Sequence, residues 1–145
     1  MALFKRILVP VDGSTYSRDA VRLAAQMAAV HGSELKLIHV LDVVLVDQLR
    51  RLSKKDKHAV QVEMHHSAQG FLRDMEREAR KHNVEPEELI EEGVPHEAIL
   101  KEAADWKADL IVMGKLGRRG ISHIVLGSVT ERVIEFSDAP VLVVK

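Results

Sequence analysis

Five short runs rich in Val, Ile and Leu, each separated from the next by a stretch of helical character, constrain this chain more than any other feature. They are "RILVPV" over 6–11, "ELKLIHVLD" over 34–42, "VEPEELIEEG" over 84–93, "DLIVMG" over 109–114 and the final "APVLVVK". The first is apolar, β-branched and closed by "DGS", the pattern of a buried strand. The third is acidic and suits a sheet edge, where charge discourages stray pairing. Between them, Ser14 or Ser17 can cap a helix with Ala20, Leu23, Ala24, Met27 and Ala28 on one face, ended by Gly32. A long helix is predicted from about Asp56 to His82, with Val60, Met64, Ser67, Phe71, Leu72, Met75 and Ala79 near helical spacing and Asn83 at its end. "VPHEAILKEAADWKA" gives another, with Pro95 in its first turn and Ile99, Leu100 and Ala103 inward. Ser128 and Glu131 form a capping box for a last short helix through Val133 and Ile134. The segment from Val43 to Lys57 reads as a loop or a short helix.

Strict alternation of strand and helix implies an open parallel sheet of five strands with helices on both faces, because parallel strands need right-handed crossovers. The 145 residues suit one α/β domain spanning 1–145. Aromatic residues are only 3%, so the core is aliphatic, as parallel strands under Ala-rich helices require. Ligands of such sheets bind beyond the carboxyl ends of the strands, where strand order reverses. The loops after Val11, Val40 and Met113 are therefore the candidate site.

Composition removes several function classes. A formal net charge of -1 gives no global pull toward nucleic acid or an anionic membrane. The absence of cysteine excludes disulfides, thiolate metal sites and cysteine nucleophiles. The start "MALFKRILVPVDGS" is too short and too soon charged for a secretory signal or a membrane span, which leaves a cytoplasmic protein as the expectation.

From Met113 to Arg132 the chain reads "MGKLGRRGISHIVLGSVTER". A Walker A loop needs a Gly-Lys pair followed by Ser or Thr, and a dinucleotide fingerprint needs three glycines after the first strand; both are missing. What stands here is Gly114-x2-Gly117-x9-Gly127-Ser128. The first pair lets the backbone approach a ligand with no Cβ in the way, and the second opens a helix whose first amides favour a phosphate. Arg118 and Arg119 in the spacer either lie over phosphates or face water. Asp12 either contacts a ribose or metal ion or caps the following helix. His65 and His66, adjacent on a helix, point apart and make a poor metal pair. His39 reads as a hydrogen-bonded core residue, and nothing near His123 orients it as a base. The cluster "RRLSKK" reads as a solvated surface with scope for a partner contact.

With "ILVPVDGS" at the start, "LIHV" in the second strand and "APVLVVK" at the end, this glycine spacing resembles the ATP-binding branch of the universal stress protein family, over essentially the whole chain. The resemblance implies a Rossmann-like sheet of the adenine nucleotide alpha hydrolase type. It implies ATP, with Mg or Mn, as the ligand. Pro10, Val11, Asp12 and the backbone of Val40 would then meet adenine and ribose. Met113 and Gly114 would lie near the ribose, and Gly117, Gly127, Ser128, Val129 and Thr130 near the phosphates, with Lys115, Arg118 and Arg119 counted among the nucleotide-binding residues. The resemblance also implies a homodimer through the C-terminal strand and a regulatory role in stress response. A slow ATPase using Asp12 and a metal ion, and a nucleotide-free interaction module, are the alternatives.

Overall fold

The computed structural model describes residues 3–115 and 126–145, so Gly117, Arg118, Arg119 and His123 lie outside the described residues. Strands β1 (Arg6–Pro10), β2 (Glu34–Asp42), β3 (Glu87–Gly93), β4 (Leu110–Gly114) and β5 (Val141–Val144) form one parallel sheet in the order β3-β2-β1-β4-β5. The connecting helices are α1 (Thr15–His31), α2 (Val43–Ser53), α3 (Lys57–Arg80), α4 (Pro95–Trp106) and α5 (Ser128–Phe136). The order runs outward from β1 to β3, then reverses through β4, so the switch point lies between the carboxyl ends of β1 and β4.

Alternation along the central strands divides the core into two layers. Ile7 and Val9 of β1, with Leu110 and Val112 of β4, face α1 and α3; Leu8, Ile111 and Met113 face α4 and α5. Each fully buried aliphatic side chain contributes roughly 1.5–3 kcal/mol, which makes a one-residue slip of these strands prohibitive. Asp109 locks the same register at the far end: its carboxylate accepts from the amides of Lys5 and Arg6 at 2.7 and 2.9 Å. In α1 the inward set is Ala20, Val21, Ala24, Ala25 and Ala28, with Leu23 and Met27 only half-buried at its rim. Such small residues let the helix lie close to the sheet.

Helix ends follow the expected chemistry with one exception. Ser14 caps α1, accepting from the Ser17 amide, while Ser17 itself is buried inside the first turn. Gly32 ends α1 at φ 67, a left-handed conformation glycine adopts without strain. Within the Val43–Lys57 segment, Val43–Ser53 forms the short helix α2, started by Asp42, whose side chain accepts from the Val44 amide at 2.9 Å, and Lys57 opens α3. The long helix ends at Arg80, and Asn83 takes a left-handed φ of 60 in the turn that follows. The exception is the capping box at Ser128. Gly127 is the N-cap, extended at φ -65 and ψ 152, and its carbonyl accepts from the Glu131 amide. Ser128 is therefore the first helical residue. The register is displaced by one because the Gly127 amide is already held by the Lys115 carbonyl at 2.9 Å.

Gly114 answers to packing. A Cβ there would stand 2.6–2.9 Å from Tyr16 Cβ and from the Tyr16 backbone, so its absence lets β4 end directly against the first turn of α1. This packing role stands beside the one expected from sequence, since Gly114 also lines the cavity described below. Gly70, in the middle of α3, has nothing within 4 Å of an added Cβ. The two glycines should respond oppositely to alanine: Gly114→Ala loses about 1–3 kcal/mol through overpacking, and Gly70→Ala gains about 0.5–1 kcal/mol of helix propensity. Urea denaturation of the two variants checks both signs.

Two carboxyl groups in this layer titrate in opposite directions. Buried Glu78 is held below its ordinary value of 4.5, first by the hydrogen bond from Arg22 at 2.9 Å and then, against the cost of burial, by Lys81 at 3.1 Å. Glu88 is pushed from 4.5 up to about 7, first by desolvation and then by its neighbour Glu76. The Glu78 contribution is fully present above the unfolded value and is lost as pH falls through the lower folded one. For Glu88 the folded state holds more protons between 4.5 and about 7, so its contribution declines as pH rises across that window. Glu88→Gln should flatten the stability profile there, and Glu78→Gln should lower stability at neutral pH by roughly 1–3 kcal/mol. Denaturation midpoints measured across a pH series check each.

Candidate functional site

The carboxyl ends of β1, β2 and β4 open into a cavity of about 560 Å³, roofed by α2 and α3 and bounded by the starts of α4 and α5. This volume lies within the range of small-molecule sites. Its floor is built where β1 and β2 separate. The Val11 amide still donates to the Ile38 carbonyl at 2.8 Å, continuing the ladder one residue past β1. The Val11 carbonyl takes the Nδ1–H of His39 at 2.7 Å, which fixes the tautomer because a carbonyl only accepts. His39 is thus hydrogen-bonded, as its strand position suggests, yet it lines the cavity and meets Phe71 edge-on at 5.7 Å.

After Val11 the chain turns sharply. Asp12 Oδ1 accepts from the Ser14 amide at 2.9 Å, and Gly13 adopts φ 84 with the Phe71 ring 2.8 Å from where a Cβ would stand. Asp12 lines the cavity and shapes the loop that leads into α1, while the cap of that helix is Ser14 and not Asp12.

The opposite wall is built by the end of β4 and the start of α5. Lys115 donates its amide to the Val144 carbonyl at 2.7 Å and accepts from the Gly127 amide, which ties the end of β4 to β5 and to the start of α5. The buried Thr130 hydroxyl donates to the Gly114 carbonyl at 3.0 Å. Beyond these bonds, α5 begins with no side-chain cap, so its first turn presents the positive end of the helix dipole to the cavity. Among the described lining residues none is Lys or Arg, and Asp12, Asp42 and Glu63 stand elsewhere on the wall. The cavity is therefore polarised by backbone on the α5 side and by carboxylates elsewhere. Glu63 is paired with Lys55, and Asp42 with the Val44 amide.

Pro10, Val11, Asp12, Val40, Met113, Gly114, Gly127, Ser128, Val129 and Thr130, all expected from sequence, converge on this one cavity. Lys115 does not line it; its backbone is the staple at the rim. The Gly127 amide and Thr130 hydroxyl are committed to Lys115 and Gly114, so the donors left to that wall are chiefly the first amides of α5. Sequence reasoning missed Leu45 and Leu49 of α2 and placed Met64, Ser67 and Phe71 of α3 only at helical spacing, whereas all five line the cavity. Spacings of four in α2 and of three and four in α3 identify a helix face but not what it faces. Among the described residues, no three His, Asp or Glu side chains converge as a metal-binding group, and no helix is long and apolar enough to cross a membrane.

An open parallel sheet whose strand order reverses beside a cavity defines a Rossmann-like α/β protein. Comparison with known proteins gives the family. The sequence profile of the universal stress protein family matches residues 3–145, and the chain belongs to that family. It is similar to the universal stress protein MJ0531 of Methanocaldococcus jannaschii, at 36% identity over 99% of this chain and 83% of the relative. The structure of MJ0577 from the same organism superposes with a TM-score of 0.85 at 30% identity, covering 99% and 97% of the two chains. The universal stress protein from Archaeoglobus fulgidus in complex with dAMP superposes with a TM-score of 0.71 at 26% identity, covering 99% of each chain.

The bond from Thr130 to Gly114 ties the last strand of the cavity floor to the helix that closes it. Thr130→Val keeps the shape and removes the donor, leaving a buried carbonyl unpaired at a cost of about 1–3 kcal/mol, while Thr130→Ser should recover most of that loss. Thermal denaturation of the pair distinguishes the lost hydrogen bond from lost packing.

Proposed function

We propose that this chain binds an adenine nucleotide, ATP in the first instance, in the switch-point cavity, and acts as a dimeric nucleotide-dependent regulator. The observation that carries this reading is the pairing of an apolar chamber, large enough for a base and ribose, with the uncapped start of α5. Pro10, Val11 and Asp12 are assigned to the base and ribose with the backbone of Val40, and Met113 and Gly114 to the ribose. The first amides of α5, at Ser128, Val129 and Thr130, are assigned to the phosphates together with Gly117 and the spacer arginines. The A. fulgidus relative in complex with dAMP supports an adenine ligand for this fold. Leu45 and Leu49 place α2 in contact with whatever fills the cavity, so occupancy sets the position of that helix.

Dimerisation is assigned to β5, an edge strand of Val141, Leu142, Val143 and Val144 with exposed Ile134 and Phe136 beside it, a surface that favours being covered.

The test separates phosphate from base. Ser128→Asp places a carboxylate at the first position of α5, which suits the helix dipole and should leave the fold intact. The same charge opposes a phosphate. ATP affinity measured by calorimetric titration should fall about tenfold or more, since one hydrogen-bonded charge interaction is worth at least that, while adenosine binding stays unchanged. Unchanged ATP affinity would remove the α5 terminus from the site, and no binding of ATP, ADP or AMP to the wild type would overturn the nucleotide reading.

A further inference from the structure

The surface around α2 carries an unpartnered face. Val44, Gln48 and Leu52, at intervals of four, lie along its outer side, with Val44 56% and Leu52 81% exposed. Cations crowd its end: Arg50, Arg51, Lys54, Lys55 and Lys57 against Asp47 and Asp56 within the same stretch. Arg50 and Arg51 share the single carboxylate of Asp47, at 2.8 and 3.0 Å, and Lys55 takes Glu63 from α3. The positive charge of this corner exceeds what its own carboxylates neutralise.

The edge strand beside it has the opposite excess. Glu87, Glu88, Glu91 and Glu92 of β3 are all exposed, with Glu85 just before them, and β3 pairs only with β2. Gln61 takes Glu92, Arg80 holds Glu85 at 2.9 Å and Lys36 reaches Glu87 at 3.5 Å, while Glu88, crowded by Glu76, adds its charge above about 7. The two patches are ordered along the edge. A cleft of about 270 Å³ lined by Arg50, Lys57 and Glu92 places the α2 corner at the carboxyl end of β3. Glu85, Glu87 and Glu88 stand at its amino end, roughly 20 Å away for a strand of this length.

We propose that the α2 corner docks on the amino end of β3 in a second copy of this chain, forming a two-fold contact distinct from β5. Antiparallel placement of two such edges sets the cations of each copy against the carboxylates of the other, twice over, and closes the assembly without leaving a free end. Leu52 and Val44 supply the apolar contact inside the charged ring. Side chains carry the contact, because the row of carboxylates discourages bare strand-to-strand pairing. A second copy is the complementary partner because the cationic and acidic patches lie on one edge of the same chain, so a copy brings both at once.

The experiment is sedimentation velocity of the full chain at about pH 8.5, above the raised value of Glu88, at low and high ionic strength, with Arg51→Glu/Lys54→Glu as one variant and Glu87→Lys/Glu88→Lys as the other. Wild type should associate by one further doubling at low ionic strength and lose it at high. Each variant alone should weaken that step about tenfold or more, as like charges face each other. Mixing the two variants should restore it as a one-to-one heterodimeric contact, since every facing pair is then opposite in sign. None of these substitutions touches β5, so association there is unaffected, and circular dichroism confirms that each variant is folded. Salt-independent wild-type mass, or no recovery on mixing, would overturn the proposal. Binding of the α2 corner to phosphatidylserine vesicles without self-association would overturn it in favour of a lipid occupant.

Discussion

The last two residues of the β4 connection, Gly114 and Lys115, hold the ligand edge of the molecule together. Gly114 must lie against Tyr16 with no side chain between them, which fixes β4 to the first turn of α1. Its carbonyl receives Thr130, and the backbone of Lys115 receives Gly127 and reaches Val144. Four elements, α1, β4, β5 and α5, are thereby positioned by two adjacent peptide units. The cavity wall inherits its shape from these bonds before any ligand is considered.

One consequence is a division of labour among the glycines. Gly114 serves close packing, and Gly127 serves as an extended N-cap whose amide is already spent. Anion binding falls to the turn that follows, where the helix starts without a side-chain cap. A glycine motif can therefore mark a ligand site while its glycines are occupied in building the wall. The carboxylates at Asp12, Asp42 and Glu63 fit the same scheme: two of them hold loop or helix starts, and the third is tied to Lys55. Each shapes the chamber by a local bond rather than by reaching into it as a free charge.

The sheet was legible in the sequence because central parallel strands are buried on both faces, and "RILVPV" and "DLIVMG" have no polar alternation to confuse them. The edge position of β3 was legible for the converse reason, its row of glutamates. The strand-end residues of the site followed from topology alone, since Val11 follows β1, and Val40 and Met113 lie within the last residues of β2 and β4, near the switch point. What was not legible depends on partners distant in sequence. The partner of Gly114 is Tyr16, and the displaced start of α5 is set by Lys115, neither of which local pattern can reveal. Met64, Ser67 and Phe71 carry the same period as a core stripe, and only the third dimension shows that the stripe fronts a cavity.

The two edges of the sheet end in different physics, and the cavity lies between them. β5 presents Val and Leu, beside exposed Ile134 and Phe136, whereas β3 presents carboxylates. An apolar edge gains from being covered at any ionic strength, because the gain comes from water released from apolar area. A charged edge attracts only a complementary surface, and screening by salt governs how strongly. α2 belongs to both regimes: its inner residues Leu45 and Leu49 line the cavity while its outer end carries the cations. Any displacement of that helix by an occupant of the cavity is necessarily felt at the charged surface, because one short rigid element bears both faces.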